Sequence, residues 1–267
     1  MISAERLRGI IRRMPYYFRH PMYVVHRSMV LLAGDNRGAV WSEGERAVIR
    51  SFRLAELGGD FCRLAHIERY IWAGSLVCGR ECLDDGCGTG YGSHYLVKRA
   101  RAKCVVGIDI SKEAIGFARS HYRHPRLKFD QMDCLELAFP DETFDVVVSF
   151  DVLEHVSKKD QDRFLGETRR VLRKGGTLLI GCPNSPAATD DNPFHLGLLG
   201  ASEFSHLLQR HYADVQFFGQ DIVKNGVRAG LDYLREVEEV GLADLIIAST
   251  KVDSCFGLLA ICTKPRE

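Results

Sequence analysis

The chain has 267 residues, 46% of them hydrophobic, and a formal net charge of +1 at neutral pH. This length and composition allow one substantial core, and the near-neutral charge gives no overall bias toward nucleic acid. The nine cysteines include no C-x-x-C pair, which argues against a zinc site or redox dithiol of that type and favours reduced thiols in a cytoplasmic setting.

Residues 1–45 form a basic segment that stands apart from the rest of the chain. Six arginines precede residue 28, with Glu5 as the single acidic side chain among them. An apolar stripe at helical spacing predicts an amphipathic helix; it consists of Leu7, Ile10, Ile11 and Met14. Such a helix either packs on the main domain with its arginines solvated, which we favour, or makes peripheral contact with the inner face of a membrane. No apolar run is long enough to span a bilayer, so we expect a cytoplasmic location.

Residues His66 to Ala73, H-I-E-R-Y-I-W-A, are predicted to form a helix ahead of the first strand of the main domain. Arg69 on this helix is suited to bind a carboxylate, because a guanidinium pairs with that group bidentately. Tyr70, the next residue, can stack on the ligand or form a hydrogen bond close to Arg69. The alternative is an amphipathic helix with Tyr70 and Trp72 buried, which explains the aromatic residues but leaves Arg69 unexplained.

A glycine-rich turn follows the strand that ends near Asp84, within the run E-C-L-D-D-G-C-G-T-G-Y-G. Turns of this kind bring the backbone close to a nucleotide-like ligand, and the free N–H groups of the next helix can face that ligand. A nicotinamide-dinucleotide fingerprint would need its third glycine at position 91, where the chain has Tyr91. Asp84 would in addition repel a pyrophosphate. These two residues argue against a nicotinamide-dependent oxidoreductase.

The pattern D-x-G-x-G-x-G from Asp84 to Gly90 resembles the first motif of the class I S-adenosylmethionine-dependent methyltransferases. The resemblance implies S-adenosyl-L-methionine as the cofactor and places Asp84 opposite the ammonium of its amino acid end. It also assigns cofactor contacts to the turn residues Gly86, Cys87 and Gly88. The resemblance continues in the correct order as far as the fifth strand.

A second predicted strand, C-V-V-G-I-D, ends at Asp109, twenty-three positions after Gly86. A carboxylate at this place can accept hydrogen bonds from both hydroxyls of a ribose, and Ile110 follows it directly. Ser111 is the predicted N-cap of the next helix. The alternative is that Asp109 only caps that helix.

Two further stretches extend the resemblance. The first, L-K-F-D-Q-M-D-C, ends with Asp133 and Cys134 and resembles the adenine-binding stretch, in which an acidic residue faces the exocyclic amine. The second begins with the apolar strand from Thr143 to Phe150 and continues into D-V-L-E-H-V, which resembles the segment that closes over the methyl donor. As a whole the resemblance predicts these cofactor-binding residues: Arg69, Tyr70, Asp84, Gly86, Cys87, Gly88, Gly90, Asp109, Ile110, Asp133, Cys134 and Phe150.

Strands and helices alternate from Glu81 to about Gln220, which predicts an α/β fold with a doubly wound, Rossmann-like sheet. The resemblance implies seven mostly parallel strands, with the last strand inserted antiparallel beside the fifth. A helix is expected to end at a glycine C-cap near Gly175. The fifth, sixth and last strands are predicted at Thr177–Cys182, Val215–Phe218 and Phe256–Cys262.

The methyltransferase domain is expected to comprise residues 46–267, preceded by an N-terminal helical extension in residues 1–45. The connection at 221–255 is longer than a hairpin needs and is predicted to be a helical insertion. Its helix is expected to run from Arg228 to Val240, because apolar residues recur there at helical spacing.

Three short stretches resemble methyltransferases associated with bacterial surface-polysaccharide and related glycan pathways. They are Gly44-Glu45-Arg46, His66 to Tyr70 and Asn192 to His195. The resemblance implies a small-molecule acceptor that bears a hydroxyl, such as a sugar or a glycan- or lipid-linked intermediate. Nucleic acid bases are disfavoured as acceptors, because F-D-V-L follows the fourth strand where a signature of the Asn-Pro-Pro-Tyr type would stand.

Two histidines are candidates for catalysis. His195 can act as a general base toward an acceptor hydroxyl, or it can fix the wall of the site through hydrogen bonds to loop carbonyls. His155 has the same two alternatives. A metal site at Glu154 and His155 lacks a second pair of ligands, so no metal ligand is predicted. Phenolic or amine acceptors remain alternatives, as does a cofactor-binding protein without catalysis, because Asp85 occupies a position that is usually small or apolar in the family.

Overall fold

The computed structural model describes residues 39–41, 47–49, 61–185, 194–224, 227–228, 245–249 and 252–265. The predicted basic helix and the motif Gly44-Glu45-Arg46 lie outside these residues. Two short antiparallel strands, β1 (Ala39–Trp41) and β2 (Ala47–Ile49), form a small sheet of their own. Within the described part of the chain, no helix combines the length and the apolar character that a bilayer crossing needs.

The main sheet is built from nine strands. They are β3 (Glu81–Asp85), β4 (Cys104–Asp109), β5 (Leu127–Gln131), β6 (Phe144–Phe150), β7 (Leu172–Pro183), β8 (Tyr212–Lys224), β9 (Val227–Arg228), β10 (Leu245–Ala248) and β11 (Gly257–Pro265). Their order across the sheet is β10-β8-β11-β7-β6-β3-β4-β5, and β9 pairs with β8 beside this path. Strands β3 to β7 pair in parallel, whereas β11 runs antiparallel between β7 and β8. The predicted doubly wound, mostly parallel sheet with an antiparallel last strand beside the fifth is therefore confirmed.

The sheet is larger than the seven strands that were predicted. Strand β10 adds an antiparallel edge to β8, and the short strand β9 also pairs with β8. In β10 the buried residues Leu245 and Ile247 alternate with half-buried ones, which is the pattern of an edge strand with one face on the core. Four residues are too few for this alternation to stand out in the sequence.

Among the described residues, five α-helices accompany the main sheet: α1 (Phe61–Gly74), α2 (Tyr91–Lys98), α3 (Lys112–His121), α4 (Gln161–Val171) and α5 (Ala201–His211). Helix α1 includes the predicted helix from His66 to Ala73, and α2 begins at Tyr91 as expected. Ser111 caps α3 as predicted, because its side-chain oxygen accepts a hydrogen bond of 3.2 Å from the backbone N–H of Ala114. A single 3₁₀ turn, Leu153–His155, follows β6.

The end of α4 corrects one prediction. The helix ends at Val171, not at a glycine C-cap near Gly175, and β7 begins at once with the buried residue Leu172. Leu172 pairs with Phe144, but the next pairs in register join Val146 to Thr177, so the residues between Leu172 and Thr177 form a bulge. Gly175 lies in this bulge with a φ of 77°, a left-handed conformation that a glycine adopts without strain.

Where the structure describes the predicted insertion at 221–255, it contains strands and one 3₁₀ turn, Val252–Ser254. Residues 221–224 extend β8, and β9 and β10 follow at 227–228 and 245–248. The predicted helix from Arg228 to Val240 lies, apart from its first residue in β9, outside the described residues and stays a prediction.

The core consists of two large apolar clusters on opposite faces of the sheet. Cys82 of β3 belongs to the cluster that includes α1 and α2, whereas its neighbour Leu83 belongs to the cluster that includes α4 and α5. Successive side chains of a strand point to opposite faces, so this division is expected for a sheet with helices on both sides. The carboxyl ends of the parallel strands are thereby left as the edge where a ligand can bind.

Candidate active site

The glycine-rich turn joins β3 to α2 at the carboxyl edge of the sheet. The backbone N–H groups of Gly86 and Cys87 both donate to the carbonyl oxygen of Ile108, over 2.9 and 2.7 Å, which ties the turn to β4. Gly86 has a φ of 78°, and a Cβ at this position would overlap the side chain of Val152. Position 86 therefore favours glycine for two reasons, the left-handed backbone and the lack of space for a side chain. Through Val152, the segment after β6 lies directly against the turn.

Asp109 connects the turn to the end of β4. Its Oδ2 accepts a hydrogen bond of 3.0 Å from the N–H of Gly88, and its Oδ1 accepts one of 2.8 Å from the N–H of Ser111. A carboxylate has about four lone-pair sites, so both oxygens can still accept bonds from ligand hydroxyls. The two alternatives raised by the sequence are thus compatible, because Asp109 orders the start of α3 and also faces the turn.

The surface around Asp109 fits a ligand with an aromatic ring. Ile110 is 63% exposed, although most large apolar side chains in the described residues are buried. A Cβ at Gly88 would meet nothing within 4 Å, so the turn is open on this side. The exposed residue Asp133 lies beyond β5, with its Oδ1 accepting a hydrogen bond of 2.8 Å from the N–H of Leu135. Hydroxyl acceptors, an apolar surface and a second carboxylate thus lie along one edge, as a nucleoside requires.

Asp84 is fully buried and supports the turn from beneath. Its Oδ1 accepts a hydrogen bond of 3.0 Å from the Tyr70 hydroxyl, and its Oδ2 accepts one of 2.5 Å from Ser93. Burial raises the pKa of Asp84 to about 6, although both of these hydrogen bonds lower it. A direct contact of Asp84 with a cofactor ammonium stays a prediction, because the structure gives this carboxylate two protein partners and no exposed surface.

Tyr70 and Phe150 belong to the same buried support. The Tyr70 ring packs edge-on against Tyr91 and against Phe150, each with a centroid distance of 5.4 Å. A Cβ at Gly92 would overlap the Tyr70 ring, so this glycine lets α2 approach α1 closely. Phe150 is only 4% exposed. The predicted roles of Tyr70 and Phe150 at the cofactor remain untested, and their visible role is to hold the helix behind the turn.

Asp85 has an unusual environment that the sequence alone did not reveal. It is buried, and within the described residues neither of its carboxylate oxygens has a hydrogen-bond partner. Burial raises its pKa to about 8, and the nearby charges of Asp84, Asp109 and Asp133 add to the effect. Burial together with the nearby Asp85 also raises the pKa of the Cys134 thiol. With this pKa the carboxyl group of Asp85 is largely protonated at neutral pH.

Arg69 is engaged by a carboxylate of the chain itself. Its Nη1 forms an ion pair with Asp151 Oδ2, and its Nε donates a hydrogen bond of 2.7 Å to Gln220 Oε1. His66 Nδ1 lies 3.1 Å from the same oxygen of Asp151. Burial raises the pKa of Asp151, but the charges of Arg69 and His66 outweigh it and hold that pKa below its usual range. The predicted contact between Arg69 and a cofactor carboxylate stays a prediction.

The two candidate catalytic histidines lie side by side, His155 on the segment after β6 and His195 in the connection after β7. The rings of His155 and His195 have centroids 5.2 Å apart, and Glu154 lies beside them with its side chain buried. His155 Nδ1 is 3.0 Å from the carbonyl oxygen of Phe194. The structure thus brings His155 and His195 together although they are forty positions apart in the chain. The sequence identified each of them as a candidate but did not show that they are neighbours.

Two residues that the sequence analysis did not single out hold this cluster in place. The N–H of Gly197 donates a hydrogen bond of 2.9 Å to the carbonyl oxygen of Glu154. The side chain of Gln161 donates to the carbonyl oxygens of Gly197 and Leu153, over 2.7 and 3.2 Å. Nothing local in the sequence marks Gln161, because each of its partners lies in another segment.

The predicted acceptor loop from Asn184 to His195 is described only at its two ends. Asn184 is buried, and its side-chain amide donates a hydrogen bond of 2.8 Å to the carbonyl oxygen of Cys255. Phe194 and Leu196, on either side of His195, are 59% and 63% exposed. The histidine therefore lies between two apolar side chains that face solvent.

Comparison with known proteins agrees with this geometry. The model of a methyltransferase domain family matches residues 83–180. The chain is 35% identical over 176 residues to a probable S-adenosylmethionine-dependent methyltransferase of Mycolicibacterium smegmatis, which covers 62% of this chain and 66% of that protein. It is 38% identical over 103 residues to a fatty-acid O-methyltransferase of the same species, which covers 39% of this chain and 37% of that protein.

A solved structure of similar fold is that of an S-adenosylmethionine-dependent methyltransferase of Thermotoga maritima, described as a possible histamine N-methyltransferase. It superposes with a TM-score of 0.57 at 17% identity, covering 76% of this chain and 90% of that one. This likeness concerns the fold. The chain spans between 51% and 66% of the length of curated probable methyltransferases that it matches.

Proposed function

We propose that this chain is a class I S-adenosylmethionine-dependent methyltransferase that transfers a methyl group to a hydroxyl of a small molecule. The acceptor class that we propose is a sugar or a glycan- or lipid-linked intermediate. Family and fold imply S-adenosylmethionine as the cofactor.

The position of the Asp109 carboxylate between Gly88 and Ser111 is the observation that carries the proposal. These two backbone N–H groups fix both carboxylate oxygens at the open side of the turn. In this proposal Asp109 accepts hydrogen bonds from two ribose hydroxyls, and the exposed side chain of Ile110 packs on the adenine ring. Asp133 lies beyond β5, where it can accept a hydrogen bond from the exocyclic amine.

The cofactor, when bound, supplies a methyl group that its sulfonium already activates. The chain therefore mainly has to orient an acceptor oxygen in line with the methyl–sulfur bond and exclude water. Segment 151–156 is placed for this task, because Val152 packs on Gly86 and brings His155 to the same end of the sheet. His155 and His195 then form the wall on the acceptor side.

The side chains around His195 support an acceptor that is partly apolar. Phe194 and Leu196 are among the few large apolar residues that the described part of the chain exposes. A hydroxyl on a lipid-linked molecule would meet the histidines while its apolar part contacts these two side chains. The similarity to a fatty-acid O-methyltransferase is in keeping with such an acceptor.

The test is a methyl-transfer screen of the full chain with S-adenosylmethionine and four acceptor classes. These are nucleotide sugars, glycolipids or fatty acids, quinone-type phenols, and small amines, with release of S-adenosylhomocysteine as the measured quantity. Turnover of a sugar or lipid hydroxyl supports the proposal, and turnover of a phenol or an amine alone contradicts it. Cofactor binding without turnover of any class would favour a non-catalytic binding protein. Asp85, which is buried without a hydrogen-bond partner among the described residues, is the reason to consider this alternative.

A further inference from the structure

We propose that Glu154, His155 and His195 form a binding site for a divalent transition-metal cation. Each residue offers one ligand atom, and these atoms lie within 4.8 Å of one another. Metal–ligand distances of about 2.0–2.2 Å place the ligands of one ion roughly 3–4 Å apart, so small side-chain rotations close the site. Two imidazoles and one carboxylate suit Zn²⁺, Co²⁺ or Mn²⁺ better than Ca²⁺, which prefers oxygen ligands alone.

The orientation of His155 is the second observation for this site. The carbonyl oxygen of Phe194 can only accept a hydrogen bond, so the Nδ1 atom that lies 3.0 Å from it carries the proton. The lone pair of the neutral imidazole is then on Nε2, the other side of the ring. Metal-binding histidines are commonly oriented in this way, with one nitrogen donating to a carbonyl and the other free for the ion.

The two segments that carry the ligands are fixed to each other by backbone hydrogen bonds. Gly197, two residues after His195, donates to the carbonyl oxygen of Glu154, and Gln161 donates to Gly197 in turn. A Cβ at Gly197 would overlap the carbonyl oxygen of Val156, so only a glycine permits this approach. The backbone segments that carry the three ligands are therefore held together before any ion binds, which lowers the entropic cost of binding.

The electrostatic surroundings also favour a cation. Glu154 is only 2% exposed, and a buried carboxylate is costly unless a positive charge compensates it. A bound divalent ion would add a positive charge beside Glu154.

Three protein ligands leave at least one coordination position open, as in catalytic zinc sites. An acceptor hydroxyl that binds there loses its proton to solvent more readily, so that no histidine has to act as the base. Only this use of the ion rests on the proposed function. The cation site itself rests on the three side chains and their supports.

The test is a titration of the full chain with Co²⁺, followed by visible absorption and calorimetry, and a parallel titration with Zn²⁺. We expect one ion per chain and a weakening of at least tenfold for Glu154→Gln, His155→Ala and His195→Ala. His206→Ala is the matched control, because this exposed histidine of α5 bonds to the carbonyl oxygen of Ser202 and lies outside the cluster. Circular dichroism checks that each variant is folded, and Glu154→Gln preserves side-chain shape in case the histidine variants unfold.

Two results would overturn the proposal: no Co²⁺ binding by the intact chain, or equal binding by the control and the three variants. Binding with the absorption of a cobalt–thiolate bond would also overturn it, because the ion would then be bound by cysteines outside the cluster. S-adenosylmethionine affinity and methyl transfer are measured on the same samples with and without a chelator. Full activity without any ion would contradict the catalytic use of the ion and leave the proposed function standing, whereas ion binding without methyl transfer would support the cation site and contradict the proposed function.

Discussion

The backbone N–H of Gly88 donates to Asp109 Oδ2 over 3.0 Å, so the residue at the open side of the glycine turn orients the carboxylate at the end of the next strand. The turn and the carboxylate are therefore one unit. A ligand that binds Asp109 necessarily lies against the turn.

Replacing Asp109 by alanine should abolish measurable cofactor binding. A hydrogen bond to a charged group is worth about 1.5–3 kcal/mol, so the loss of two ribose contacts corresponds to roughly 10²- to 10⁴-fold in affinity. Calorimetry with S-adenosylmethionine measures the effect. The control is Asp130→Ala, which removes an exposed carboxylate that pairs with Arg119. Unchanged affinity in a folded Asp109→Ala variant would refute the ribose assignment.

Replacing Tyr70 by phenylalanine should lower stability more than it lowers cofactor affinity. The variant keeps the ring between Tyr91 and Phe150 but removes the hydroxyl that donates to the buried carboxylate of Asp84. Leaving a buried acceptor with one partner fewer costs about 1–3 kcal/mol. Chemical denaturation of both proteins gives the difference. A large loss of affinity with unchanged stability would instead indicate that the Tyr70 hydroxyl contacts the cofactor.

The unusual carboxyl group of Asp85 predicts a pH dependence of stability. Its pKa is about 8 in the folded chain and near 3.8 when exposed, so the folded state binds the extra proton throughout that interval. The contribution to stability is complete below pH 4 and is lost as the pH rises toward 8. Asp85→Asn should therefore gain stability over the wild type as the pH rises, by a few kcal/mol near pH 8. Denaturation curves between pH 5 and pH 8 that stay parallel for the two proteins would contradict this.

Two glycine-to-alanine changes should have opposite effects. Gly197→Ala places a Cβ on the carbonyl oxygen of Val156 and should separate the segments that carry His155 and His195, with a loss of Co²⁺ affinity. Gly116→Ala adds a methyl group on the exposed face of α3, where nothing lies within 4 Å. It should raise stability by about 0.5–1 kcal/mol, because alanine favours a helix interior. Thermal unfolding measures the stability of both variants, and cobalt titration measures their Co²⁺ affinity. Equal Co²⁺ affinity and equal stability of the two variants would contradict the role assigned to Gly197.

The basic segment gives a prediction that depends on residues outside the described structure. If its six arginines contact an anionic membrane, the full chain should sediment with anionic vesicles at low salt and be released at high salt. Deletion of residues 1–27 should abolish the association. An intact chain that stays in the supernatant would favour the packing alternative.

The parts of the fold and site that the sequence predicted are those that local patterns encode. The turn at Gly86, the cap at Ser111 and the strand that ends at Asp109 each depend on a few consecutive residues, and the structure has all three. The antiparallel last strand was predicted from the family resemblance, since strand order leaves no periodic signal in the sequence.

The parts that were not predicted depend on partners distant in the chain. Arg69 was expected to bind a cofactor carboxylate, but its ion-pair partner, Asp151, lies 82 positions away. Likewise, the sequence does not show that His195 lies beside Glu154 and His155, because the three residues meet only in the folded chain. Burial, which decides the protonation of Asp85, is likewise a property of the packed chain.

The insertion of β11 between β7 and β8 has a consequence for synthesis on the ribosome. In the described sheet, β8 pairs with β9, β10 and β11, all of which follow it in the chain. When β8 first emerges, its apolar residues, among them Phe218 and Ile222, have no neighbouring strand and no link to the sheet already made. At about 5–20 residues per second the nascent chain waits a few seconds for β11. During that interval β8 can pair only with β9 and β10, and its other edge, which β11 will occupy, stays open to chaperones or to aggregation.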